Sequence, residues 1–103
     1  MWTSKWNLSN LILSAPNNSK VKGKINGVKR NSQTVVTLEI ISSDDVDGLP
    51  NFTRSRVGTT IEVKYDNENA NHLQEGAVLQ SYVEYIGDEH GGIFRGTIDT
   101  IKE

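Results

Sequence analysis

The sequence has no cysteine. A disulfide framework and thiolate metal sites are therefore excluded, and the absence fits a reducing compartment, so a cytoplasmic location is the expectation. Long apolar runs are also missing; the longest resemble Leu11-Ile12-Leu13. Runs that short supply neither a signal-peptide core nor a membrane span, and no membrane partner is expected. Histidine is scarce, with only His72 and His90, and no nucleophile-elbow motif accompanies them. A serine-type hydrolase needs a nucleophile, a base within hydrogen-bond reach and an orienting acid. Asp88-Glu89-His90 is the one cluster mixing carboxylates with imidazole, and three adjacent residues in a turn cannot converge on one proton. The phosphate-cradling glycine loop with its lysine and Ser or Thr is missing as well. No catalytic residue, no metal site and no cofactor is expected, and the chain reads as a non-enzyme.

One motif runs against the metal-free reading. Ser43-Asp44-Asp45-Val46-Asp47-Gly48 is similar to the start of a calcium loop, but the position of the bidentate glutamate that should close the site is Arg54. Three Asn-x-Ser/Thr sequons, at Asn7, Asn17 and Asn51, occur in a chain with ten asparagines and match by chance.

What remains is a chain of 103 residues, enough for one core but not two. With 35% hydrophobic residues, that core is expected to come from alternating strands with one wet face. Charge is unevenly spread although the net value is only -2. Lys5, Lys20, Lys22, Lys24, Lys29 and Arg30 stand in residues 1–38 without a single acid; the thirteen acids and five bases follow from residue 39 onward. Such asymmetry marks either an anion-facing surface or two halves that meet as cross-strand ion pairs.

Residues 1–18 form an N-terminal arm without a sustained period, ending in the turn Pro16-Asn17-Asn18. Its Trp2 and Trp6 either plug a barrel end or offer a partner-binding surface. Residues 19–103 form the domain proper. Val21, Gly23 and Ile25 alternate with Lys20, Lys22, Lys24 and Asn26, which is a strand with one wet face, and Gly23 and Gly27 would let it curl. After the polar turn Lys29-Arg30-Asn31-Ser32, Gln33 to Ser42 points Val36, Leu38 and Ile40 inward and Val35, Thr37 and Glu39 outward. Ser43 to Gly58 is a long connection expected to fold over the barrel as a lid or short helical turn, with Leu49 as an anchor and Phe52 as a core plug. Thr59 to Tyr65 alternates again. Asp66 to Glu75 has Leu73 as its one large apolar group and is expected to be a loop without a full helix. Gly76 to Ile86 and Ile93 to Ile101, joined by a turn from Gly87 to Gly92, form a closing hairpin.

Five strands with long connections after the second and third, the spacing Val21-x-Gly23-x-Ile25, the strand Val57-Gly58-x-x-Ile61-x-Val63 and the approach Leu73-x-x-Gly76 resemble the oligonucleotide/oligosaccharide-binding (OB) fold over residues 19–102. The resemblance implies an all-β, closed or partly open five-stranded barrel. The family's helix between the third and fourth strands would here be reduced to a turn. It further implies a ligand face on the second and third strands, flanked by the first-to-second and fourth-to-fifth loops. On this sequence that face carries Lys29 and Arg30 in the first loop, Thr37 and Glu39 on the second strand, Lys64 on the third and, in the last loop, His90, with Tyr82 near it and Lys22 and Lys24 at its margin.

Two functions follow as expectations. One is a non-catalytic module binding single-stranded DNA or RNA through the basic first strand and adjacent loop. The other is a protein-interaction module using the N-terminal arm or an exposed strand edge. A continuous surface of Lys20, Lys22, Lys24, Lys29 and Arg30 favours the first; Glu39, Glu62 and Glu84 interleaved with them favour the second.

Overall fold

Alternation in the sequence becomes a closed barrel of five strands in a computed structural model that describes residues 16–88 and 91–102. In chain order the strands are β1 (Ser19–Arg30), β2 (Thr34–Asp45), β3 (Thr60–Tyr65), β4 (Val78–Asp88) and β5 (Gly91–Lys102), and around the barrel they run β1-β2-β3-β5-β4. All neighbours are antiparallel except β3 and β5, which pair in parallel at Val63↔Phe94 and Lys64↔Arg95. The architecture is all-β, as the alternation requires. Val21 and Ile25 from β1, Val36, Leu38 and Ile40 from β2, Ile61, Val63 and Tyr65 from β3 and Leu79 and Val83 from β4 fill the interior. Among the described residues, no helix is long and apolar enough to cross a membrane.

β1 serves both β2 and β4, and it can do so because it bends twice. Its register against β2 slips between Lys22 and Gly23 and again between Ile25 and Gly27. At the first slip a Cβ on residue 23 would sit 2.6 Å from Cγ of Leu38, so only glycine lets the strand come this close. The second slip leaves Asn26 without a partner on β2 and changes the phase of the strand. Val28 consequently joins the partly buried residues packed on the core and Lys29 points out, the reverse of what unbroken alternation from Ile25 would give.

The barrel is closed at both ends by the two long connections. Asn67–Ala70 forms a single helical turn, α1, and with it Ala70 and Leu73 become fully buried beneath the Arg30 end of the barrel. The expected loop is thus a helical turn followed by two tight turns, closed by Leu73 N–H to the Ala70 carbonyl and Ala77 N–H to the Gln74 carbonyl, that lead into β4. At the opposite end the connection after β2 carries a 3-10 turn, Arg54–Arg56. Its anchor differs from the expected one. Phe52 is half exposed, leaning on Tyr85 at a ring separation of 5.9 Å, whereas Thr53 is 1% exposed. The cause is the lining at this end: Thr53 Oγ1 lies 2.7 Å from the hydroxyls of both Ser19 and Ser43, so a small hydroxyl residue fits where a phenyl ring would leave these groups unpaired. Asn51 fixes the approach, its Oδ1 accepting from the backbone N–H groups of Thr53 and Arg54.

The β4–β5 hairpin is longer than expected, pairing out to Gly87↔Gly92 and Asp88↔Gly91. Asn17 extends β1's hold on β4: its Nδ2 donates to the carbonyl of Tyr85 at 2.8 Å and its Oδ1 accepts from the Tyr85 N–H at 2.7 Å, as a strand neighbour would. Trp2, Trp6 and the Leu11-Ile12-Leu13 run lie outside the described residues.

Tyr65 ties the parallel seam to β4. Its phenol donates to Ser81 Oγ at 2.8 Å, and burial pushes its pKa up to about 12 from the ordinary 10.0. The folded value exceeds the unfolded one, so this group's contribution is intact below pH 10 and is lost as pH rises through 12. A shift of that size amounts to about 2–3 kcal/mol. Urea unfolding midpoints should therefore fall between pH 10 and 12 in the parent chain, and the fall should be smaller in Tyr65→Phe; an identical fall in both would refute the assignment.

Candidate binding face

The register of the barrel decides which of the sequence-predicted residues meet. On the outer surface, Lys29 of β1 faces Val35 of β2, Val35 faces Lys64 of β3, Lys64 faces Arg95 of β5, and Arg95 faces Glu84 of β4. Three cations and a valine therefore stand in one row across four adjacent strands, with Glu84 closing it. Neighbouring strands are about 4.8 Å apart, which places Lys64 one strand from Arg95 and two strands, roughly 10 Å, from Lys29. None of the three cations has an ion-pair partner among the described residues. Nothing in the local sequence singles out Arg95. It sits nearly at the end of the chain, and only the parallel β3–β5 pairing sets it beside Lys64.

Thr37 lies in the adjacent outward row, between Gly27 and Glu62. Tyr82 is outward on β4, two residues from Glu84, and pairs with Thr97. A cleft of about 240 Å³ joins Lys64, Tyr82, Glu84, Arg95 and Thr97, with Asp66 at its rim. A second groove of about 310 Å³ lies beyond Lys64 and is bounded by Arg56, Glu62, Ile93 and Phe94. Lys64 is common to both. In the second groove the Arg56 guanidinium stands 5.9 Å from the centroid of Phe94, whose ring meets Tyr85 edge-on at 5.1 Å. A cation held against an aromatic face is suited to planar or anionic ligands.

The β1 lysines are distributed differently. Lys20 is 3.4 Å from Asp99 and lies over the Tyr82 ring. Lys22 faces Ser42 on one side and Gln80 on the other, and Lys24 faces Glu39. Acids thus interleave with this set, and it does not join the Lys29 row into one patch. Arg30 is engaged internally: Nη1 donates to the carbonyl of Ala70 at 2.8 Å and Nη2 to that of Leu73 at 2.7 Å. Its fork joins the Ala70 carbonyl at the end of α1, which also accepts from the Leu73 N–H at 3.1 Å, to the Leu73 carbonyl beyond it. Arg30→Ala should cost about 1–3 kcal/mol by loss of these charge-assisted bonds, and Arg30→Lys should recover little because an ammonium cannot bridge two carbonyls with the same planar fork. Lys29→Ala, one residue away, should stay within about 0.5 kcal/mol of the parent. Urea midpoints of the three variants check this ordering.

His90 lies outside the described residues. The calcium-like stretch has become part of the β2 end and its connection. The Asp45 carboxylate accepts from Asn51 Nδ2 at 3.1 Å and from Arg54, and these partners hold its pKa below the ordinary carboxylate value. The arginine in the position of the missing glutamate is thus the group that neutralises Asp45. Neither of the described sequon asparagines presents an unengaged amide, since Asn17 bonds to Tyr85 and Asn51 to Ser43 and Asp45.

No protein-family model matches the chain, and no curated protein is recovered as a relative by sequence.

Proposed function

We propose that this chain is a non-catalytic binding module of the OB type that takes single-stranded nucleic acid across the row Lys29–Val35–Lys64–Arg95. The five-stranded barrel, with a plug between β3 and β4 at the place of the family's helix, supports the OB assignment. The observation that carries the ligand class is the row itself: three cations without ion-pair partners among the described residues, aligned across four strands between two clefts. Cations at strand spacing track a phosphate backbone, and Tyr82 stands beside the row where a base can stack, such a contact being worth about 1–3 kcal/mol. The site thus keeps Lys29 of β1 and leaves aside Lys20, which pairs with Asp99, and Lys24, which faces Glu39, in favour of the β2, β3 and β5 side of the barrel.

Fluorescence anisotropy with a short single-stranded oligonucleotide tests it. With three phosphate contacts, log K should fall against log salt with a slope of about -2, so that binding weakens about 20-fold between 50 and 200 mM salt. No binding at low salt rejects the reading.

A protein-interaction module is the second reading. It is favoured by the pairing of Lys24 with Glu39 and Lys20 with Asp99, and by the exposed apolar side chains Ile41, Phe52, Val57 and Ile93. Its expected result is a partner captured by the full chain and lost when residues 1–15 are removed, a cut that spares Asn17 and its bonds to Tyr85, with no oligonucleotide bound by either.

A further inference from the structure

We propose that Asn26-Gly27 is a modification site: the side-chain amide of Asn26 is converted spontaneously to a carboxylate through a cyclic imide with the Gly27 nitrogen. The reaction needs an asparagine whose following backbone nitrogen can reach its own Cγ. In a regular strand the extended chain and the ladder on either side hold these atoms apart. Asn26 escapes both restraints. The β1–β2 register passes from Ile25↔Leu38 to Gly27↔Thr37 and leaves Asn26 without a partner on β2. On the other side the β1–β4 pairing ends at Lys24↔Val78, and Ile25 is the last β1 residue to exchange backbone hydrogen bonds there, with Gly76 and Ala77. Asn26 therefore lies on a bulge, without a register partner on either edge, before Gly27 rejoins β2 opposite Thr37, and bulged residues depart from extended geometry.

The surroundings leave room for ring closure. Asn26 is exposed, and its Nδ2 is held by a single long contact, 3.4 Å from the Glu39 carboxylate. Gly27 has no side chain to obstruct the approach of its nitrogen, and even an added Cβ would meet nothing closer than Thr37 at 3.9 Å. The other described asparagines are worse placed. The amides of Asn17, Asn51 and Asn67 are occupied by hydrogen bonds, while Asn18, Asn31, Asn69 and Asn71 are each followed by a residue with a Cβ.

The chemistry balances without a catalyst. The Gly27 nitrogen gives its proton to a solvent base and attacks Cγ of Asn26; the new N–Cγ bond forms as the Cγ–Nδ2 bond breaks, and Nδ2 leaves as ammonia with a proton returned. Water then adds to one of the two imide carbonyls and opens the ring to aspartate or isoaspartate. Either product places a second carboxylate beside Glu39. The isoaspartyl product also lengthens the main chain by one methylene just ahead of Val28 and Lys29, at the end of β1 that carries the first cation of the row.

The test uses the folded full-length chain held at mildly alkaline pH and 37 °C-like growth conditions, followed over time by tryptic mapping and mass spectrometry. The expected result is that the peptide spanning Ile25 to Lys29 gains the mass of an amide-to-acid conversion before any other asparagine peptide does, and that Gly27→Ala, which has space for its methyl group, slows the change several-fold while keeping the parent circular dichroism spectrum. Earlier conversion at Asn31, Asn69 or Asn71, an unchanged rate in Gly27→Ala, or conversion of Asn26 only after unfolding in urea would each overturn the proposal. No nucleic acid enters the measurement, so its outcome is independent of the binding reading.

Discussion

Gly96→Ala is expected to destabilise the domain by about 2–4 kcal/mol, a large fraction of the 5–15 kcal/mol typical of a small fold. Alanine ordinarily stabilises a strand relative to glycine by about 0.5–1 kcal/mol, so the sign of the effect depends wholly on local packing. A Cβ built on residue 96 falls onto the Tyr65 ring, against Cε1 and Cζ. That ring cannot easily yield. It is 2% exposed, and its phenol is fixed 2.8 Å from Ser81 Oγ, which donates onward to the carbonyls of Tyr82 and Thr97. Moving the ring would strip Ser81 of a partner inside the barrel, and leaving it in place would push β5 off β4. Overpacking contributes about 1–3 kcal/mol and a displaced buried hydrogen bond about 1 kcal/mol more.

A double-mutant cycle isolates the contact with the ring. If the clash with Tyr65 is the cause, Gly96→Ala should be much milder in a Tyr65→Leu background, where the ring is gone, giving a coupling of at least about 1 kcal/mol. Urea midpoints of the four chains measure it. Simple additivity, or a single-mutant loss below about 0.5 kcal/mol, would refute the packing argument.

Most of the barrel was legible because its strands have one wet face. Ile25, Leu38, Ile40, Val63 and Tyr65 are buried, as their alternation with polar neighbours requires. Gly23 and Gly27 flagged the two places where β1 departs from regular register, since glycine within a strand commonly marks a bend. What alternation could not convey was the phase change at Asn26, which turns Lys29 outward, because a bulge inserts one residue without altering composition. The ends of the barrel were less legible for another reason. Apolarity pointed to Phe52, but the cap is set by Thr53 among the hydroxyls of Ser19 and Ser43, three residues distant in sequence whose proximity is a product of the fold. The same limit hid Arg95 and changed the meaning of Arg30. A cation's availability depends on what stands opposite it, and cross-strand partners are not written in the local sequence.

Reversing charge at Lys64 and Arg95 together is expected to reduce oligonucleotide affinity by about a hundredfold or more, on the basis of two charge-assisted contacts of about 1.5–3 kcal/mol each. Both side chains project from the barrel surface beside the 240 Å³ cleft, and neither has an ion-pair partner among the described residues, so Lys64→Glu/Arg95→Glu should leave the fold intact. The comparison that gives the result meaning is Lys22→Glu with Lys24→Glu, which changes net charge by the same amount on strand positions flanked by Ser42, Gln80 and Glu39. If affinity reflected overall charge, the two pairs of substitutions would act alike, since a field summed over the whole chain does not distinguish them. If the row is the site, the β1 pair should alter affinity only slightly, and the salt slope should flatten by about 0.7 for each row cation that is merely neutralised to alanine. Equal losses from both pairs, measured by anisotropy at one salt concentration, would count against a localised face and return the cationic row to the role of a solvated barrel surface.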